Sequence, residues 1–304
     1  MAEVPAASDG ELRRFILERQ PVRGFRVRLE HAWRELRSFH RYPRAVEALL
    51  GEAVTASLLL AATLKFQGTL TLQLAGDGLV SLLVAQCTHE FSVRAVARAG
   101  EPIDESVSFR SLVGEGRLTV TIEAEERAAR YQGIVALEGE SLAQCLENYF
   151  ATSEQLPTLI ALAADAVSAG GVLLQKIPGA SAQGEALAAE SLDIWETLQA
   201  RVAALEAPLL RLGSAEQVLQ RVCGEHDCRL FVGAPVQFAC RCSQGRVAGL
   251  LRSLGPDEMR SILAEQGAVT VTCEFCGRPY RFDAIDVERL FSNGATPEAP
   301  HSVN

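Results

Sequence analysis

Cys240-Arg241-Cys242 and Cys273-Glu274-Phe275-Cys276-Gly277 decide how the C-terminal part of this chain folds. The two pairs stand 30 residues apart, and the second sits where a strand meets a glycine knuckle. Four thiolates so spaced suit tetrahedral zinc. The first pair departs from the usual knuckle, since one residue rather than two separates its sulfurs. Zinc is therefore the expected cofactor, with Cys240, Cys242, Cys273 and Cys276 as its ligands. A module of about 60 residues draws roughly 3–5 kcal/mol from its core. Structural zinc contributes an apparent ~10–16 kcal/mol at neutral pH. Taken as residues 231–291, the module should unfold when the metal is removed.

A metal that only staples the fold is the plainer reading of such a centre. Chemistry adds a second one, because a bound thiolate is the form that an oxidant attacks. Two residues of extended chain place the Cys240 and Cys242 α-carbons up to about 7 Å apart. A disulfide prefers about 4.4–6.8 Å with correctly aimed β-carbons. Bridging this pair needs the local backbone to rearrange. Oxidation, metal loss and unfolding are then coupled events, and a switch becomes possible.

Working outward, residues 179–230 read as a linker. Gly179 to Glu190 is rich in Gly, Ala, Ser and Gln. Leu192, Trp195, Leu198, Val202 and Leu205 then recur three and four apart, which makes one apolar stripe on a helix over Ser191–Glu206, ended by Pro208. At about 16 residues this helix is close to the ~12–15-residue limit of independent stability, so it must dock through that stripe. Ser214 with Gln217 forms a capping box for a second short helix. Cys223-Gly-Glu-His226-Asp-Cys228 follows. It could supply alternative ligands or a competing disulfide partner, but two half-buried thiols and a surface histidine is the simpler expectation.

Residues 1–178 read as an α+β domain dominated by antiparallel hairpins. Leu12–Leu17 and Phe25–Leu29 are expected strands, followed by a helical turn near His31–Phe39. Pro43 opens a helix over Arg44–Leu64 that is apolar nearly all round, so it should be buried on most sides. Leu70, Leu72 and Leu74 alternate with Thr and Gln before the Gly76-Asp77-Gly78 turn. Further strands are expected at 79–85, 91–97, 118–122, 134–137, 159–167 and 172–177, with a helix at Ser141–Phe150 and a Gly170-Gly171 turn. Cys87 on a strand and Cys145 on a helix read as core. In the metal module, Pro256 opens a helix that Gly267 stops, strands follow at 268–272 and 280–282, and Asp283 caps a last helix. Residues 292–304 read as a disordered tail.

Composition sets the outer bounds. The 304 residues are 48% apolar and 22% charged, which argues against disorder. The longest apolar stretch, Ala53–Leu64, has 12 residues, short of the ~20 a bilayer demands. No apolar signal segment is seen before Glu11, so a reducing cytoplasm and no membrane partner are expected. With 29 basic against 38 acidic residues, net −9, a general field for nucleic acid is missing.

The residues around the sulfurs resemble the redox-regulated 33 kDa heat-shock chaperone family. The resemblance rests on Cys240-x-Cys242-Ser243, on Cys273-Glu274-Phe275-Cys276 with an aromatic strand at Tyr280, and on Asn148-Tyr149-Phe150-Ala151-Thr152-Ser153-Glu154-Gln155-Leu156-Pro157-Thr158. Ala169-Gly170-Gly171-Val172-Leu173-Leu174-Gln175 and the segment Gly255–Phe282 also follow the pattern, so the likeness runs from about Leu12 to Phe291. It implies an ATP-independent holdase rather than an enzyme, inactive while reduced and zinc-bound. Under oxidants it implies disulfides Cys240–Cys242 and Cys273–Cys276, zinc release and unfolding of the metal module and linker. Unfolding client proteins would then be bound, typically by a homodimer.

Two other readings compete. A zinc-ribbon nucleic-acid binder needs a basic excess, yet Cys223–Phe291 holds eight arginines against nine acids. A thiol–disulfide oxidoreductase could use Cys273 and Cys276, but such a pair normally opens a helix after a strand, whereas Gly277-Arg278-Pro279 follows here. Gly76-Asp77-Gly78 and Gly114-Glu115-Gly116 lack the context of a nucleotide loop, and the five histidines show no triad or metal spacing.

Overall fold

The chain begins with an antiparallel pair, β1 (Gly10–Leu17) and β2 (Val22–Leu29), followed by α1 (His31–Ser38) and α2 (Arg44–Thr63). The computed structural model describes residues 10–100, 102–124, 130–177 and 185–292. The tail beyond residue 292, residue 178 and the first linker residues, 179–184, lie outside that range. Two compact units result, Met1–Ala239 and Cys240–Asn304.

In the first unit, β3 (Gly68–Gly76), β4 (Val80–Thr88) and β5 (Ser92–Ala99) form a meander. The short helix α3 (Phe109–Val113) precedes β6 (Gly116–Ala124) and β7 (Arg130–Ala136), which extend the meander on the other side of β3. Then come α4 (Leu142–Thr152), β8 (Thr158–Ala164) and β9 (Ala169–Lys176), the last pairing with both β8 and β2. Two sheets therefore face each other across α2, which packs on strands of both. Fourteen of its twenty residues are buried, as an all-round apolar surface requires. It is long and apolar enough to cross a membrane by length and composition, but 78% of the qualifying window is buried inside the protein, which marks it as a core helix. Gly51 permits the close approach: a β-carbon there would meet the Ala164 Cβ at 2.5 Å.

The linker helices cover the far face of the β1–β2–β9–β8 sheet. They are α5 (Glu185–Ala203), α6 (Ala207–Leu212) and α7 (Ala215–Cys223). Pro208 stands in the first turn of α6, where its missing N–H costs nothing, so the proline starts a helix rather than ending α5. The Ser214–Gln217 capping box is present in full. Strand β9 is sandwiched: Leu173 points to the α2 side, while Val172 and Leu174 join the linker side. Gly170 and Gly171, expected in a turn, lie inside this strand opposite Arg28 and Val27. A β-carbon at Gly170 would meet the Leu210 carbonyl oxygen at 2.1 Å, so the glycine is needed for backbone contact with α6.

Three short strands absent from the sequence reading complete this unit. β10 (Cys228–Leu230) and β11 (Ala234–Pro235) pair with β1, and β12 (Gln237–Phe238) runs parallel to β5. Residues 231–239, counted above with the metal module, thus take their hydrogen bonds from the first unit, and the second begins at Cys240.

The second unit contains α8 (Gln244–Leu254), α9 (Pro256–Gln266), the hairpin β13 (Val269–Thr272) and β14 (Pro279–Phe282), and α10 (Ala284–Ser292). Helix α8 was not predicted, because Gly245 and Gly249 dilute its apolar period; the Ser243 hydroxyl caps it by accepting from the Arg246 N–H at 3.3 Å. The buried core is small: Ala248, Leu251, Met259, Val269, Phe282 and Val287.

Candidate metal centre and linker dock

Pairing of Thr272 with Pro279 closes the β13–β14 hairpin over the second cysteine pair. The Cys273 N–H donates to the Arg278 carbonyl at 2.9 Å, and the Gly277 N–H donates to the Cys273 carbonyl at 2.8 Å. Gly277 has φ +66°, the left-handed conformation this turn needs and that glycine adopts without strain. The pair therefore sits in a hairpin knuckle, not at a helix start, which removes the local setting of an oxidoreductase pair. Cys240 and Cys242 stand immediately before α8, where the Arg246 guanidinium donates to the Arg241 carbonyl at 2.9 Å.

The four Sγ atoms all lie within 4.8 Å of one another, and all four residues are half-buried. Cys240 is 3.4 Å from Cys242 and 3.6 Å from Cys273, and Cys242 is 3.4 Å from Cys276. Tetrahedral zinc with Zn–S bonds of about 2.3 Å sets sulfurs roughly 3.8 Å apart. The cluster matches that spacing, so the four cysteines are positioned to bind a metal ion. Electrostatics agree. With no cation, burial raises the Cys240 thiol and pushes Cys276 up to about 12. At Cys242 burial also opposes the thiolate, but the Tyr280 hydroxyl and the neighbouring thiols outweigh it and bring the group to about 7. Four adjacent sulfurs cannot all ionise unaided, and a divalent cation removes that conflict. Among the described residues no other His, Cys, Asp and Glu group is gathered this way.

The linker stripe is placed as follows. Leu198 and Val202 are fully buried, and Trp195 and Leu205 are half-buried against the same cluster. The Leu192 side chain lies outside the described residues. Sequence spacing missed Ile194, which is buried and takes the place next to Leu198 on the inward face. Their partners are Phe15, Leu17, Val22, Leu159, Val172 and Leu174 of the sheet. Trp195 is covered by Lys176, whose Nζ lies 5.0 Å from the ring centroid. Polar ties surround this patch. Arg201 donates to the Cys223 carbonyl at 2.7 Å, and Arg211 of α6 pairs with Asp165, which also accepts the Val167 and Ser168 N–H groups at 2.9 Å.

Cys223 and Cys228 depart from the expectation of two separate thiols. Cys223 is buried at the end of α7 and bonded to Cys228 on β10, with α-carbons 6.8 Å apart. His226 sits in the loop between them, its N–H donating to the Cys223 carbonyl at 3.1 Å. Spacing alone could not reveal this, because the bond depends on β10 pairing with β1 at Leu17.

Comparison with known proteins bears on this arrangement. The family model described as "Hsp33 protein" matches residues 10–283. A 33 kDa chaperonin of Shewanella sediminis (strain HAW-EB3) is 40% identical over 291 residues, covering 96% of this chain and 99% of the relative. That of Nitrosococcus oceani is 43% identical over 281 residues, covering 92% and 94%. The crystal structure of the 33 kDa chaperonin from Thermotoga maritima superposes with a TM-score of 0.78 over 93% of this chain and 98% of the other; at 24% identity it speaks to the fold alone. The sulfur cluster, the two-sheet unit and these matches together make this chain a member of the Hsp33 family of chaperones.

Proposed function

We propose that the protein is a redox-controlled, ATP-independent holdase whose reduced form binds zinc through Cys240, Cys242, Cys273 and Cys276 and is inactive. The observation that carries this reading is the convergence of four sulfurs in a unit with only seven buried apolar residues among the described ones. Such a unit depends on its metal. A hydroperoxide oxidises two thiolates at a time. Each pair loses two electrons to form one S–S bond, and the peroxide O–O bond breaks to give water and, for an organic peroxide, an alcohol. The pairing follows the family resemblance, Cys240 with Cys242 and Cys273 with Cys276. Two such steps consume all four ligands and free the ion.

Loss of the metal unfolds residues 240–292, and linker helices α5 and α6 then leave the sheet. Their departure bares Leu159, Val172 and Leu174 on β8 and β9, an apolar face suited to unfolding polypeptide. In this reading the oxidised form is a homodimer, the clients are unfolding proteins, the compartment is the cytoplasm, and neither catalysis nor nucleic-acid or membrane binding is involved.

The test follows zinc release and light scattering of a thermally unfolding client in one sample during peroxide addition. Release of one zinc per chain should coincide with the onset of suppression, without nucleotide. Equal suppression by reduced and oxidised protein refutes the regulation.

A further inference from the structure

The oxidisable sulfur of this chain is not confined to the metal centre. Cys223 ends α7, and Cys228 lies on β10, the outermost strand of the sheet beside β1. The bond between them ties a linker helix to the sheet it covers. The clasp is built from residues of the first unit. Phe15, Ile16 and Leu17 pair with Leu230, Arg229 and Cys228, the Glu18 N–H donates to the Asp227 carbonyl at 3.0 Å, and Arg201 of α5 caps the end of α7.

We infer that Cys223 and Cys228 form a second, metal-free redox couple, oxidised by hydroperoxide to a disulfide and reopened by a dithiol reductant, that pins α7 and β10 to the sheet. The two sulfurs differ in a way that orders the steps. Cys223 is 2% exposed and sits at a helix C-terminus, where the negative end of the dipole disfavours a thiolate. Cys228 is half-buried on an edge strand, the more exposed residue of the two, and we assign it the attack on peroxide. Its thiolate attacks one peroxide oxygen; the O–O bond breaks, the leaving oxygen takes a proton as water (or as an alcohol, from an organic hydroperoxide), and Cys228 becomes a sulfenic acid. The Cys223 thiol then displaces the sulfenic hydroxyl as a second water while the S–S bond forms. The two sulfurs lose two electrons and the peroxide gains them.

The consequence rests on the functional reading above. Oxidation that opens the metal unit and releases α5 would close the clasp at α7, so the linker loosens from its N-terminal side while residues 215–230 stay on the sheet. Closing so short a loop should shift the local opening equilibrium of this segment roughly thirty-fold.

The experiment uses the full-length zinc-loaded chain and the double variant Cys223→Ser/Cys228→Ser, whose melting curve checks folding. Trypsin cuts after Arg221 and Arg229, which places both cysteines in the peptide Val222–Arg229. After graded hydrogen peroxide and alkylation, that peptide should appear two hydrogens lighter and unalkylated, and a dithiol should restore the alkylated form. Hydrogen exchange across 215–230 should be slower in the oxidised wild type than in the oxidised variant by the same thirty-fold order. A peptide that stays reduced at doses that release the zinc overturns the couple, as does one that no dithiol reopens or equal exchange in the two proteins. Zinc release and client suppression, read in the same samples, report separately on the holdase reading. If those two fail while the peptide cycles, the couple stands and only its consequence for release is lost.

Discussion

Leu198→Ala probes the dock of α5 most directly, because this side chain is wholly buried in the cluster that holds Val172 and Leu174, and it belongs to the first unit whereas the cysteine cluster belongs to the second. Three buried apolar side chains, Ile194, Leu198 and Val202, each contribute about 1.5–3 kcal/mol by burial, a gross of roughly 5–9 kcal/mol. Against it stands the conformational entropy of ordering a helix that is marginal in water. Truncating a buried leucine to alanine costs about 2–5 kcal/mol. A loss of about 3 kcal/mol removes a third or more of the gross and raises the undocked fraction on the order of a hundred-fold. Hydrogen exchange of residues 190–203 in reduced, zinc-loaded protein reads this fraction, and light scattering of a thermally unfolding client reads its consequence. Exposed Leu250→Ala in the second unit is the control and should change neither. Faster exchange with new basal suppression is the expected result. Unchanged exchange refutes the docking energetics; faster exchange without suppression refutes the idea that α5 hides the client-binding face.

Trp195→Asp removes the ring beneath Lys176 and sets a charge beside the apolar cluster, so it should raise basal client binding and protease sensitivity of the linker in reduced protein, read by limited proteolysis. Chelation of zinc together with peroxide should abolish exchange protection across residues 244–292 while strands within 10–177 keep theirs; retained protection in the C-terminal unit would contradict the metal-dependent fold. Gly170→Ala forces a β-carbon against the Leu210 carbonyl and should destabilise the first unit by about 2–3 kcal/mol, seen as a drop of several degrees in Tm. Burial holds Glu52 on α2 up at about 7, above the ~4.3 of a free glutamate. A carboxyl raised on folding contributes its stability below pH ~4.3 and loses it as pH climbs through 7. Glu52→Gln should therefore be near neutral at pH 4.5 and stabilising by on the order of 1–3 kcal/mol at pH 8, by denaturant unfolding.

How far the chain could be read from residues alone varied with the range of the interaction responsible. Leu70, Leu72 and Leu74 announced β3 because alternation with Thr and Gln is local, and Ser214 with Gln217 announced the start of α7 because a cap needs only four neighbouring residues. The gathering of four cysteines was legible for the same reason twice over: two short motifs each carry two sulfurs, at spacings that suit one tetrahedral cation. Glycines caused two of the misreadings. Gly245 and Gly249 hid α8, and Gly170-Gly171 suggested a turn where a strand needs small residues to admit a neighbouring backbone.

Sequence by itself determined the amphipathic elements, the all-round apolar helix and the four sulfur ligands expected of a metal, all of which depend on spacing along the chain. Only the tertiary structure decided that Ile194 belongs to the buried face, that residues 234–238 complete the sheets of the first unit, and that Cys223 meets Cys228. The physical reason is shared. A strand of two or three residues has too little periodicity to announce itself, and it exists because β1 and β5 have edges whose N–H and C=O groups need partners.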